Sequence, residues 1–187
     1  TADFTRRYQA EKARRNVMDF SDQEHYAIDL LLDAAGQPTE LARQIAQRYR
    51  EIMVDEYQDA NDVQNCIFTA ISRQEQNLFV VGDVKQSIYR FRLADPTIFL
   101  RKYNAYVPAD QAEEGQPRKV LLSKNFRSRQ SVLDGCNAIF HSIMSRRMGE
   151  MNYGAEEQLY FGAEYYPPHD DTAAEFHFID VSDTEEE

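Results

Sequence analysis

The 187-residue chain has no tryptophan, two cysteines, six prolines and seven glycines. Cys66 and Cys136 lack the spacing of a metal site and are too few for a disulfide framework, which fits a reduced, cytoplasmic setting. The four histidines, at 25, 141, 169 and 177, are scattered and read as structural, not as a ligand cluster. No apolar run approaches the ~20 residues of a membrane span, and no signal peptide is visible. None of the glycines, at 36, 82, 115, 135, 149, 154 and 162, is followed by Lys. A Gly-x₄-Gly-Lys-Ser/Thr phosphate loop is therefore absent from this stretch. The chain opens on Thr1, inside a helical pattern, and reads as a piece of something longer.

What is present is a globular composition. Apolar residues make up 42% of the chain, enough to bury a core in one domain or two small ones. The formal charge of −11 is unevenly spread, because residues 156–187 hold eleven Asp/Glu and no Lys/Arg. The other residues balance at 21 acidic against 21 basic. Residues 1–15 carry five basic and two acidic side chains, and residues 84–102 carry five and one. Local potential decides where phosphates settle, so the net charge does not exclude a nucleic-acid partner. The basic face of the first helix reads primarily as a solvated one.

The pattern predicts a polar helix over 3–16. Ser21 and Glu24 are spaced as a capping box for a second helix, carrying Ile28, Leu31 and Leu32 and ending near Gly36. A helix follows Pro38-Thr39, with Leu41 and Ile45. Residues 51–54 and 78–81 read as buried strands, with a helix between them that starts at Asn61 and turns Val63, Ile67 and Ile71 inward. Asp95-Pro96 is a strong helix start. Residues 108–117, with two prolines and a glycine, are the best boundary between lobes. A third strand at 120–122, a helix over 129–146 with Val132, Leu133, Cys136, Ile139, Phe140 and Ile143 at helical spacing, and a strand at 175–181 complete the reading. Strands alternating with helices define an α/β fold with a parallel sheet.

Three segments carry the chemistry: Asp55-Glu56-Tyr57-Gln58-Asp59, Gly82-Asp83-Val84-Lys85-Gln86-Ser87-Ile88-Tyr89-Arg90-Phe91-Arg92, and Asn125-Phe126-Arg127-Ser128. Each follows a short apolar run, so in one parallel sheet all three would leave the same edge, where open α/β sheets bind ligands. There Asp55 can hold a hydrated Mg²⁺ and Glu56 can take a proton from water; a plain surface acidic cluster is the alternative.

Together the segments resemble the Walker B segment and the next two motifs of superfamily 1 DNA helicases of the UvrD/Rep type. Gly-Asp-x-x-Gln-Ser-Ile-Tyr-Arg-Phe-Arg, 22 residues after Asp-Glu-Tyr-Gln-Asp, is the strong diagnostic. Asn16-Val-Met-Asp-Phe-Ser-Asp22, with Tyr57, Phe91 and Phe126, is most similar to the AddA-type helicase/nuclease subunits of double-strand-break repair. The resemblance implies a partial RecA-like (P-loop NTPase) sheet with flanking helices, ending a first lobe over 1–107 and starting a second over 108–187. It implies ATP and Mg²⁺ as cofactors in the intact protein, with Asp55 and Glu56 at the metal and Glu56 acting on the attacking water. Gln86 would sense the γ-phosphate, Phe126 would stack on adenine, and Arg127 would be the arginine finger. Tyr89 and Phe91 would stack on unpaired bases while Arg90 and Arg92 meet phosphates. Lys85 stands where many relatives are acidic and is expected only to be solvated. Implied partners are single- or double-stranded DNA and a second, AddB-like helicase-nuclease subunit. Without a phosphate loop the piece alone would be inactive. The rivals are a UvrD/PcrA-like motor without nuclease and a catalytically degenerate helicase-fold scaffold.

Overall fold

The computed structural model describes residues 2–89, 93–149, 151–167, 175 and 177–179. Its elements run α1 (Ala2–Arg15), α2 (Phe20–Leu31), α3 (Glu40–Arg48), β1 (Ile52–Val54), α4 (Asp62–Ala70), β2 (Leu78–Val80), α5 (Pro96–Ala105), β3 (Val107–Pro108), β4 (Arg118–Lys119), β5 (Lys124–Asn125), α6 (Gln130–Ile143), α7 (Arg146–Gly149) and β6 (Tyr160–Phe161). They divide into two compact units, residues 1–119 and 120–187. The split falls just beyond the 108–117 connection, because β3 and β4 pair across it in parallel and hold it to the first unit.

In the first unit the helix starts follow side-chain chemistry. Thr39, Asn61 and Asp95 each accept a backbone N–H of the first turn they cap, and Pro96 follows Asp95 at the first helical position. α2 is different: its capping box is Asp19 with Asp22, not Ser21 with Glu24. Asp19 Oδ1 accepts the Asp22 N–H at 2.9 Å, and Asp22 Oδ2 accepts the Asp19 N–H at 3.0 Å. A carboxylate beats a hydroxyl here because Lys12, on α1, neutralises both acids at 2.9 and 2.6 Å. Glu24 instead accepts from Gln64 at 2.8 Å, joining α2 to α4. α2 also stops at Leu31, short of Gly36, because Leu32 turns extended and bridges to Pro38.

One cluster packs Leu31, Ala42 and Ala70 with Ile45, Ile67 and Ile71; another packs Tyr57, Ala60 and Ile98 with Val54, Phe68, Val80 and Phe99. Burying an aromatic ring of this kind contributes about 3 kcal/mol. β1 and β2 are parallel, with Ile52 opposite Leu78 and Val54 opposite Val80, and α4 crosses between them. Only one face of this pair is covered. Met53 and Phe79, direct partners in the ladder, are 69% and 57% exposed.

The second unit departs from the sequence expectation. Residues 120–122 form no strand, and all three side chains are exposed. Without a covering layer the apolar run has nothing to pack on, and pairing begins at β5, which lies parallel to β6. The three chemical segments therefore do not leave one sheet: β1 and β2 form one pair, β5 and β6 another. α6 ends at Ile143; Leu133 is buried, whereas Val132, Ile139 and Ile143 are largely exposed. Asn137 holds this unit together, accepting from Tyr153 Oη (2.6 Å) and the Leu159 N–H (3.0 Å) and donating to the Leu159 carbonyl (2.9 Å). Of the strand expected at 175–181, residues 175 and 177–179 are described and are not in a strand; the rest lies outside the described residues. Both cysteines are free, and Cys66 is exposed.

Candidate functional site

Because β1 and β2 are parallel neighbours, their carboxyl ends deliver Asp55-Glu56 and Gly82-Asp83 to the same edge. Asp55 Oδ1 accepts the Glu56 N–H at 2.9 Å, which tightens the turn at the strand end. Glu56 then takes the left-handed conformation (φ 49°, ψ 41°), a setting that costs a non-glycine residue roughly 1–2 kcal/mol. That reversal opens a short 3₁₀ turn over Tyr57–Asp59 and drives Tyr57 into the core. The Tyr57 N–H donates to the Val81 carbonyl at 2.9 Å, its ring meets Phe99 edge-on, and its hydroxyl donates to Asn65 Oδ1. Burial pushes the Tyr57 phenol up to about 12, so it stays neutral. Tyr57 is thus the anchor of the turn, leaving Asp55 and Glu56 exposed to a ligand.

Gln58, which sequence reasoning did not single out, is the other buried residue of this turn. Its Nε2 donates to Glu56 Oε2 at 2.7 Å, and its Oε1 accepts the Asp83 N–H at 3.0 Å. Its only signal was its place between two carboxylates. Gly82 makes the approach feasible: a Cβ there would come within 2.6 Å of Gln58 Oε1. Asp59 lies behind the turn, where burial, with the nearby Glu56 charge, raises its carboxyl above the usual range. Its Oδ1 is buried without a hydrogen-bond partner among the described residues.

On the second segment, Asp83 caps a 3₁₀ turn over Val84–Gln86. Its Oδ2 accepts Gln86 Nε2 at 3.1 Å, and its Oδ1 pairs with Lys85 Nζ at 2.9 Å. Lys85 is accordingly not merely solvated: with its side chain 14% exposed, it is folded back onto Asp83. Tyr89 is partly exposed. Arg90, Phe91 and Arg92, singled out for DNA contact, lie outside the described residues.

Phe126 and Arg127 belong to the second unit. Asn125 Oδ1 accepts the N–H groups of Arg127 (2.9 Å) and Ser128 (2.8 Å), a side-chain-closed turn. The Phe126 ring is 58% exposed and lies over Gly162, where a Cβ would come within 2.8 Å of it. Tyr166 Oη donates to the Arg127 carbonyl at 2.7 Å, and Tyr165 Oη donates to that of Phe126. These two tyrosines were also missed; a Tyr-Tyr-Pro run in an acidic loop carries no helical or strand period to mark it.

Exposed carboxylate oxygens at a strand end suit a hydrated Mg²⁺, which keeps several waters and takes one or two protein oxygens. Among the described residues no group of three or more His, Cys, Asp or Glu could hold a metal ion by itself.

The parallel strands β1 and β2 thus end in Asp-Glu and Gly-Asp at one edge, and similarity to known proteins gives the family. The UvrD/REP helicase N-terminal domain matches residues 1–107, and the chain belongs to that family. It is also similar to proteins named as the A subunits of ATP-dependent helicase/nucleases. The one from Thermoanaerobacter pseudethanolicus is 46% identical over 193 residues, covering 98% of this chain and 15% of the relative. That of Clostridium novyi is 49% identical over 169 residues, covering 87% and 13%. That of Moorella thermoacetica is 51% identical over 162 residues, covering 82% and 11%. The chain thus spans at most about 15% of the length of these relatives. No helix among the described residues is long and apolar enough to cross a membrane.

Proposed function

We propose that this chain is an internal part of an ATP-dependent DNA helicase/nuclease subunit. Residues 1–107 would end its first RecA-like lobe and 108–187 would begin its second. The whole protein would hydrolyse ATP to move along single-stranded DNA in double-strand-break repair, beside an AddB-like partner subunit. The observation that carries this is the hydrogen-bonded run from Glu56 through Gln58 and Asp83 to Gln86 at one sheet edge.

In this reading Asp55, beside Glu56, would hold a hydrated Mg²⁺, which would supply positive charge against the phosphates. Glu56 orients the attacking water and takes its proton. Gln86 contacts the γ-phosphate, Phe126 stacks on the adenine, and Arg127 faces the charge that develops on the transferred group. Tyr89 and Phe91 stack on bases, at about 1–3 kcal/mol per ring, while Arg90 and Arg92 serve phosphates.

Glu56→Gln in the full-length protein is expected to abolish steady-state ATP hydrolysis while leaving ATP affinity nearly unchanged, because the shape stays and the base goes. Turnover within about twofold of wild type would remove Glu56 from the assigned role.

A further inference from the structure

We infer that Gln58 is the positioning residue that fixes the Glu56 carboxylate relative to the segment bearing Gln86. This rests on the ATPase reading of the same site. Gln58 is 1% exposed and bonded at both ends of its amide, to a carboxylate oxygen at 2.7 Å and to a backbone N–H at 3.0 Å. Those partners impose the amide's orientation, since an ionised carboxylate only accepts and a backbone N–H only donates. No other side chain of this length supplies one donor and one acceptor in that order. Asn is a methylene short, Glu in its charged form would repel Glu56, and Met serves neither partner.

The contact has consequences on both sides. Glu56 sits in a left-handed turn with an exposed side chain, so its backbone does not determine where its carboxylate points. The bond from Gln58 does, and it is charge-assisted and shielded from water on the Gln58 side. Across the gap, the residue whose N–H Gln58 accepts is the one whose carboxylate holds Gln86 at 3.1 Å and Lys85 at 2.9 Å. A shift of the second segment when Gln86 engages a phosphate is therefore passed to Glu56 through one rigid amide. The missing Cβ of Gly82 leaves room for that amide and no slack around it. Misplacing a catalytic group by about 1 Å costs on the order of 100-fold in rate, which sets the size of the effect to look for.

The test is DNA-stimulated ATP turnover by the full-length protein carrying Gln58→Glu, with kcat and KM for ATP separated and the melting temperature measured alongside. Gln58→Glu keeps the acceptor for the Asp83 N–H and replaces the donor to Glu56 with a second carboxylate. The expected result is kcat lowered about tenfold or more, with KM for ATP within about threefold of wild type. Turnover within about twofold of wild type would overturn the proposal, as would a loss that a fall in melting temperature accounts for. Should Gln58→Glu not fold, the volume-matched Gln58→Met decides: its kcat must fall about tenfold at unchanged KM, and normal turnover refutes the role. Glu56→Gln measured alongside separates the two failures. An active Glu56→Gln protein sinks the ATPase reading itself; an inactive one beside a normal Gln58→Glu protein sinks only the positioning.

Discussion

A Cβ added at Gly82 would come within 2.6 Å of Gln58 Oε1 and 3.2 Å of the backbone nitrogens of Tyr57 and Gln58. The side-chain oxygen is held by the Asp83 N–H, and the two nitrogens are fixed by the turn. Gly82→Ala should therefore cost about 1–3 kcal/mol, in the range of overpacked sites. Urea unfolding measures it, and an unchanged midpoint would mean that the turn yields more readily than its hydrogen bonds imply. At this scale the sequence told residue type better than direction. Asp55, Glu56 and Gln86 could be picked out because their motif has few alternatives. Gln58 could not, because whether a Gln between two acids points inward depends on the left-handed backbone at Glu56, which no side-chain pattern encodes. Lys85 was misread for the same reason: a solvated lysine and one folded onto Asp83 have the same spelling.

Among the elements, the junction of α1 and α2 carries a pH signature. Hydrogen bonding from Lys12, then from the Asp22 N–H, holds the Asp19 carboxyl down to about 2, and Asp22 is lowered by the same lysine. The folded value lies below the ~3.9 of an unfolded aspartate, so the contribution to stability is complete above about pH 4 and is lost as pH falls toward 2. The Lys12 and Tyr8 contacts to Asp19 should loosen over that window. Hydrogen exchange of the α1 and α2 amides between pH 5 and 2 would report it, and protection that stays flat would refute the latch. The helices were readable because their starts are written in side chains, as at Thr39, Asn61 and Asp95. α2 was placed two residues late because Ser21 and Glu24 have the right spelling, while the decisive partner, Lys12, is a residue of the preceding helix. The strands of two residues, β3 to β6, were beyond pattern reading: two positions cannot display a period, and their pairing is set by distant partners.

For the molecule as a whole, the expectation of an α/β parallel arrangement holds within each pair of strands, but the pairs do not form a single sheet. Periodicity marks which residues need covering and says nothing of which strand covers them. The same incompleteness governs the nucleotide. In the absence of a Gly-x₄-Gly-Lys-Ser/Thr loop, no cradle of backbone N–H groups and no loop lysine are present to balance Asp55 and Glu56 against a highly anionic ligand. Titration calorimetry of the isolated 187 residues with Mg·ATP is expected to show no useful binding. A dissociation constant of about 1–10 μM, worth roughly 7–8 kcal/mol, would reveal a phosphate-binding element that neither the sequence nor the fold displays.

The bare side of the β1–β2 pair, with Met53 and Phe79 abreast on it, also governs how copies of this piece behave together. Each copy carries a sticky plane on a two-stranded sheet that no further strand joins among the described residues, and each repels its neighbours through a charge of −11. The repulsion has a range of about 10 Å at 0.1 M salt and about 3 Å at 1 M, whereas apolar attraction survives salt. The isolated segment is thus kept dispersed by its acidic tail more than by its shape, and dilute buffer, not high salt, is its good solvent.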